Sequence, residues 1–278
     1  MDLDLYAERG PVTRVRLGLA AGLALGCLSG PAGAVGLGIQ PGRFELVLKP
    51  GDTQHLSFDA VNPGGQLPLR AHVYVTDVVP AADGSADLVP AGTTAWSASS
   101  WVELETVALV VPPQGRAPVL YAVHVPKSAQ GSGYAAIVTE TTVPPGAGNA
   151  SVAKVVVRIP FLLHVRAAGT EVWQARIREF RPSSLSAGEP LRWLVTVENE
   201  GNVLIRPAGT LSLRAVGAPG RILPVNPNAQ AVFPGQSKTF EVDDPRGVRR
   251  AGYVAAGLAL QSGDALRLEA SETFAFTP

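Results

Sequence analysis

The sequence predicts an all-β protein: two tandem immunoglobulin-like β-sandwich domains following an N-terminal signal segment. Runs of alternating apolar and polar residues recur along the chain, each bounded by Gly, Pro, Asn or Asp. The 278 residues include 30 Gly and 24 Pro, a density of chain-breakers that suits many turns and argues against long helices. A turn–strand–turn pattern also appears twice. Pro50-Gly51-Asp52 leads to Asn62-Pro63-Gly64, and Ala187-Gly188-Glu189 leads to Asn199-Glu200-Gly201-Asn202, with eleven positions from Gly to Asn in each.

Residues 1–34 read as a signal peptide. Arg14 and Arg16 precede the Leu-, Ala- and Gly-rich run Leu17 to Leu28, and Ala32-Gly33-Ala34 offers small residues for cleavage. The run is shorter than the roughly 20 apolar residues that span a bilayer. Later apolar stretches are broken by charge or proline, so no transmembrane span is expected after signal removal. The acidic residues Asp2, Asp4 and Glu8 are unusual ahead of a signal and suggest that translation starts near Val12. Cys27 is the only cysteine. Its setting Leu23-Ala24-Leu25-Gly26-Cys27 resembles a lipoprotein box, with Ala24 where Leu is usual, so lipidation at Cys27 and cleavage after Ala34 stand as alternatives. Either way the folded part has no disulfide and relies on burial of apolar cores.

The first domain is expected over residues 35–168. Period-two alternation places strands at Phe44 to Leu48, Thr53 to Val61, Ala71 to Val78, Val107 to Val111, Val119 to Val125, Tyr134 to Thr141 and Ser151 to Val165. In the last of these, Val155, Val157, Ile159, Phe161, Leu163 and Val165 share one face by parity, opposite Lys154, Arg158, His164 and Arg166. Pro160 cannot donate to a ladder, so it marks an edge position or a bulge. An edge strand with an apolar row is a surface for strand addition.

The second domain, residues 169–278, offers strands at Glu171 to Phe180, Leu191 to Glu198, Gly209 to Ala215, Arg221 to Val225, Ser237 to Val242, Tyr253 to Leu260 and Leu266 to Phe276. About seven strands per half match an immunoglobulin-like sandwich. Pro113-Gln114-Gly115 before Gly133-Tyr134 corresponds to Pro234-Gly235-Gln236 before Gly252-Tyr253. Gly-Tyr opening a late strand predicts a tyrosine corner in each half. The first half is longer around Val78 to Glu105, an elaboration holding Asp77, Asp83-Gly84, Thr93-Thr94, Trp96, Ser97, Ser99-Ser100 and Trp101. Trp101 is expected to plug its own sandwich, whereas Trp96 is a candidate recognition residue.

Lys plus Arg and Asp plus Glu are both 23, so there is no cationic surplus for neutralising phosphates and no nucleic acid partner is expected. The histidines His55, His72, His124 and His164 lie far apart in predicted strands, without metal-ligand spacing. No Gly-x-Ser-x-Gly elbow or phosphate-cradling loop occurs, and the pairs Glu103 with Glu105 and Asp243 with Asp244 read as solvated faces or turns. Neither an enzyme nor a cofactor is expected.

Gln40-Pro41-Gly42-Arg43-Phe44-Glu45-Leu46, the turn at Pro50, the strand ending at Asn62, Asp77, Gly84, Ser97 to Trp101, Val125-Pro126 and Gly133-Tyr134 together carry a resemblance. Residues 36–166 are similar to the N-terminal domain of exported bacterial proteins related to WxL-interacting proteins and to periplasmic (PapD-like) pilus chaperones. That implies an exported, non-catalytic protein of the periplasm or cell surface, with a chaperone-like or scaffolding role in assembling or anchoring surface structures such as pili. The expected partner is a surface or pilus subunit, met at Arg43, Trp96, Val155, Val157, Arg158, Ile159 and Phe161. Pilus chaperones also use a Lys in the late strand, where this chain has Pro160. The alternative expectation is a module binding cell-wall glycan through Trp96.

Overall fold

The computed structural model describes residues 36–64, 66–80, 86–143 and 155–278. The signal segment, Cys27, Ala34, Asp83-Gly84, Lys154 and the start of the strand expected from Ser151 lie outside them. No helix among the described residues is long and apolar enough to cross a membrane. The protein is all-β, with two immunoglobulin-like sandwiches in succession.

The first sandwich comprises β1 (Gly38–Gln40), β2 (Arg43–Leu48), β3 (Thr53–Val61), β4 (Leu69–Pro80), β5 (Ala86–Val89), β6 (Val102–Leu104), β7 (Ala108–Val111), β8 (Arg116–His124), β9 (Ser132–Val143) and β10 (Val155–Ala167). One sheet has the order β1-β3-β8-β6 and the other β2-β10-β9-β4-β5, with β7 pairing β4. The chain changes sheets within its first strands. Gly38–Gln40 runs antiparallel to β3, whereas Arg43–Leu48 runs parallel to Leu162–Ala167 of β10. Side chains from the two inner faces close on an aromatic centre, where Phe58 stacks on Phe161 at 4.4 Å and Tyr121 meets Phe161 edge-on at 5.8 Å. All three are at most 2% exposed, and each contributes roughly 2–3 kcal/mol by burial.

The second sandwich comprises β11 (Ala175–Pro182), β12 (Leu191–Asn199), β13 (Ala208–Ala215), β14 (Arg221–Val225), β15 (Ser237–Asp244), β16 (Gly252–Ser262) and β17 (Leu266–Phe276). Its sheets are β11-β12-β15 and β14-β13-β16-β17. The fully buried Trp193 is the central residue, flanked by Phe180 and by Phe274 at 5.4 Å.

The internal repeat extends to side-chain roles. Asn62 and Asn199, both fully buried, follow β3 and end β12. Asn62 Nδ2 donates to the Leu67 and Pro112 carbonyls, and Asn199 Nδ2 donates to those of Val203 and Val232. Their backbone N–H groups donate to Gly115 and Gln236 respectively. Gln114, with φ of 50°, therefore corresponds to Gly235, with φ of 71°, in line with Pro113 matching Pro234, whereas pairing Gly115 with Gly235 would be one position off.

The elaboration of the first half packs inward. Asp77 is fully buried in β4 and accepts hydrogen bonds from Thr94 N at 2.8 Å, Thr94 Oγ1 at 3.0 Å and Ser97 Oγ at 2.6 Å. Burial alone would raise the carboxyl's pKa, but these donors outweigh it and hold the group ionised below its usual range. Trp101 packs on the core of its own sandwich and against Gly133, where an added Cβ would approach its ring to 3.0 Å.

Candidate functional site

β10 reaches the surface in two different ways. β9 covers one side from Val155 to Arg166, but β2 covers the other only from Leu162 onward. Among the described residues, no strand pairs the outer side of Val155–Phe161. The row read by parity runs along this free half and changes character as it goes. Val155 is 52% exposed, Val157 and Ile159 are half-buried against the core, and Phe161 is 1% exposed. Phe161 is therefore corrected from a contact residue to a core residue, because its ring is spent on Phe58. Pro160 lies within the unpartnered half, so its missing N–H costs no bond to β2. Arg158 points to the opposite face, where its Nε donates to Glu140 Oε2 at 2.6 Å beside the Tyr74 hydroxyl.

The free half ends at Leu162, which pairs with Arg43. Arg43 is exposed and has no acidic partner among the described residues. It lines a cavity of about 540 Å³ between the two sandwiches, with Phe44, Glu45, Phe233 and Lys238 among its other walls. Across it Arg206 Nη2 reaches Glu45 Oε1 at 3.1 Å. His164 forms part of the floor, with neither ring nitrogen hydrogen-bonded and its Nδ1 3.9 Å from Glu45 Oε2. Burial pushes its pKa down to about 4, with Arg206 and Arg166 acting in the same direction and Glu45 against it.

Aromatic contacts between the sandwiches account for two further expectations. Tyr134 stacks on His164 at 4.7 Å and meets Phe233 of the second sandwich edge-on at 4.7 Å. Its buried hydroxyl lies beside Ser132 and the Leu204 backbone without a well-formed bond, and burial raises its pKa. Tyr253 is 66% exposed. Neither tyrosine forms the expected corner; the first belongs to the joint between sandwiches and the second faces solvent. Trp96 is half-buried, donates from Nε1 to the Val78 carbonyl at 3.2 Å, and packs 5.2 Å from Phe233. The ring is engaged by protein, which removes the free aromatic platform that the glycan expectation required.

The joint is held by backbone as well. Ser132 N donates to the Asn202 carbonyl at 2.9 Å, Asn202 Nδ2 donates to Thr170 O at 3.0 Å, and Gly131 N donates to Thr170 Oγ1 at 2.8 Å. Gly131 has φ of 69°, and a Cβ there would fall 2.1 Å from the Asn202 carbonyl, so glycine is required twice over. Phe233 and Lys238 escaped the sequence reading: Phe233 lies in a turn with no periodicity, and Lys238 in a strand read only as support.

The other charged candidates take structural roles. His55 and His124 pair with Glu105 at 2.8 Å and Glu103 at 2.9 Å on the surface. Asp243 is exposed and paired with Arg192, whereas Asp244 is 1% exposed and bound by Arg221, which corrects its reading as a solvated turn residue.

No family model and no curated protein matches the chain. Solved structures do. The YadV chaperone is 11% identical with a TM-score of 0.44, over 86% of this chain and 99% of that one. The Pseudomonas aeruginosa CupB2 chaperone is 16% identical with a TM-score of 0.41, over 86% and 100%. A structure of the Salmonella enterica SafA pilin in complex with the SafB chaperone is 14% identical with a TM-score of 0.40, over 88% and 97%. The fold assignment rests on the chain's own sheets and registers rather than on these likenesses.

Proposed function

We propose that this is an exported, non-catalytic envelope protein with a chaperone-like or scaffolding role in the assembly or anchoring of surface structures such as pili, and that it holds its partner on the free half of β10. The unpartnered side of Val155–Phe161 carries this reading. It offers roughly 23 Å of open backbone edge, beside an apolar row that climbs out of the core into solvent. An extended partner segment added there gains main-chain hydrogen bonds, while its alternate side chains cover Val155, Val157 and Ile159. The edge ends at Arg43, with Lys238 across the cavity, so an acidic group at the end of that segment meets a cation.

The test is retrieval of exported surface or pilus subunits from envelope extracts by the tagged chain. The Val155→Asp, Val157→Asp double variant, with unchanged melting, is expected to lose the captured subunit, and Val155→Asp alone to weaken it. Capture of no such subunit by the wild type, or equal capture by the double variant, defeats the proposal.

A further inference from the structure

The two sandwiches meet at one end of the second, so the turn between β13 and β14 and the segment between β15 and β16 form its opposite end. The second of these, Asp244-Pro245-Arg246-Gly247-Val248-Arg249-Arg250-Ala251, has three arginines within five positions in a chain whose formal net charge is zero. All three are exposed, and none has an acidic partner among the described residues.

The segment is built to hold them outward. Val248 is 6% exposed and anchored in the core. Arg221 Nη2 binds Asp244 at 2.5 Å and donates to the Gly247 carbonyl at 2.8 Å, so the one basic residue beneath the segment is neutralised by a buried acid. Gly247 has φ of 54°, and a Cβ there would fall 2.0 Å from the Glu189 carbonyl; the backbone is seated directly on the β11–β12 connection. Arg246, Arg249 and Arg250 line one cavity of about 540 Å³ with Val216 and Tyr253, and no acidic residue lines it. Val216 is 95% exposed at the uncharged turn Val216-Gly217-Ala218-Pro219-Gly220, and Tyr253 is 66% exposed.

We propose that this end of the second sandwich docks on an anionic lipid bilayer, with the three arginines on headgroup phosphates and Val216 and Tyr253 entering the interfacial layer. A projecting apolar turn, a tyrosine and flanking arginines form the combination that partitions into such an interface. Strand addition by an acidic peptide is disfavoured next to it, because the adjacent edge strand β14 contains Pro224, which lacks a ladder donor. Each arginine near an anionic surface is worth about five-fold in partitioning, so the three together are worth about a hundred-fold. This proposal is independent of the reading of β10.

The experiment is vesicle co-flotation of the chain purified without residues 1–34, using phosphatidylcholine vesicles with and without about one-third phosphatidylglycerol at low salt. The protein is expected on the anionic vesicles alone. The Arg246→Ala, Arg249→Ala, Arg250→Ala variant should lose about a hundred-fold in partitioning with unchanged melting, Val216→Ser should lose part of it, and Arg116→Ala on the first sandwich should lose none. Wild-type binding to neither vesicle, equal binding to both, or equal binding by the triple variant overturns the proposal. So does binding of inorganic phosphate or of a polyglutamate peptide without vesicle binding, which would make this a small-anion site or an acidic-protein site instead.

Discussion

After β3 in the first sandwich and at the end of β12 in the second, an asparagine with no exposed surface ties three segments together through one amide group. Asn199 Nδ2 satisfies the Val203 and Val232 carbonyls at 2.8 and 2.9 Å, while its Oδ1 accepts from Gly201 N at 3.1 Å. Asn199→Ala leaves the Val203 carbonyl without this donor and the Val232 carbonyl with only Ile205 N at 3.2 Å, and about 2 kcal/mol of the second sandwich's stability should disappear in a denaturant titration. Asn62→Ala should cost less, since its second bond is 3.4 Å long and its Oδ1 has no partner. A loss under about 1 kcal/mol at Asn199 would show that water takes over the Val203 carbonyl. The repeated Gly-to-Asn spacing is legible in the sequence because the turns before and after a strand fix its length. That the asparagine itself bridges two loops is not legible, because its acceptors lie up to 50 positions away at Asn62 and 33 at Asn199 and belong to turns without a motif of their own.

Three strands are legible to the residue, Thr53–Val61, Arg221–Val225 and Leu266–Phe276, whereas the one expected at Val119 to Val125 occurs at Arg116–His124 and the one expected at Glu171 to Phe180 at Ala175–Pro182. Gly38–Gln40, Ala86–Val89 and Val102–Leu104 were not expected, since three or four residues contain too little alternation to stand out. β10 shows a subtler limit. Parity groups Val155 with Phe161, yet the first is half exposed and the second is at the centre of the core. Both lie in the half that β2 leaves unpaired, and the difference arises from the facing sheet, where Phe58 and Tyr121 cover Phe161; burial along a strand depends on neighbours that its own residues do not encode. The aromatic and hydroxyl residues of the elaboration mislead for a related reason. Ser97 and Thr94 suit recognition by composition, but the buried carboxylate of Asp77 claims both.

Between the sandwiches, His164 makes the joint sensitive to acid. Unfolding returns its ring to water, where it protonates near the usual 6.5, whereas in the fold it stays neutral down to about 4. Its contribution is therefore full above pH 6.5 and falls away between 6.5 and 4, by on the order of 3 kcal/mol in all. Thermal melts near neutral pH and near pH 5 should show this fall, and His164→Phe, which keeps a ring under Tyr134, should flatten it. An unchanged slope in that variant would assign the sensitivity to other groups. The same chain also differs in how its two sandwiches would respond to traction along the polypeptide. In the first, the entering strand β2 and the leaving strand β10 lie side by side and parallel over Arg43–Leu48, so tension loads six residue pairs in shear at once. In the second, β11 and β17 share no such ladder, and only the bridge between Ser186 and Thr277 links the segments just beyond them in parallel. Stretched in a single-molecule tether, the protein should yield in two steps, with the second sandwich opening at the lower force and the first acting as the mechanical clamp.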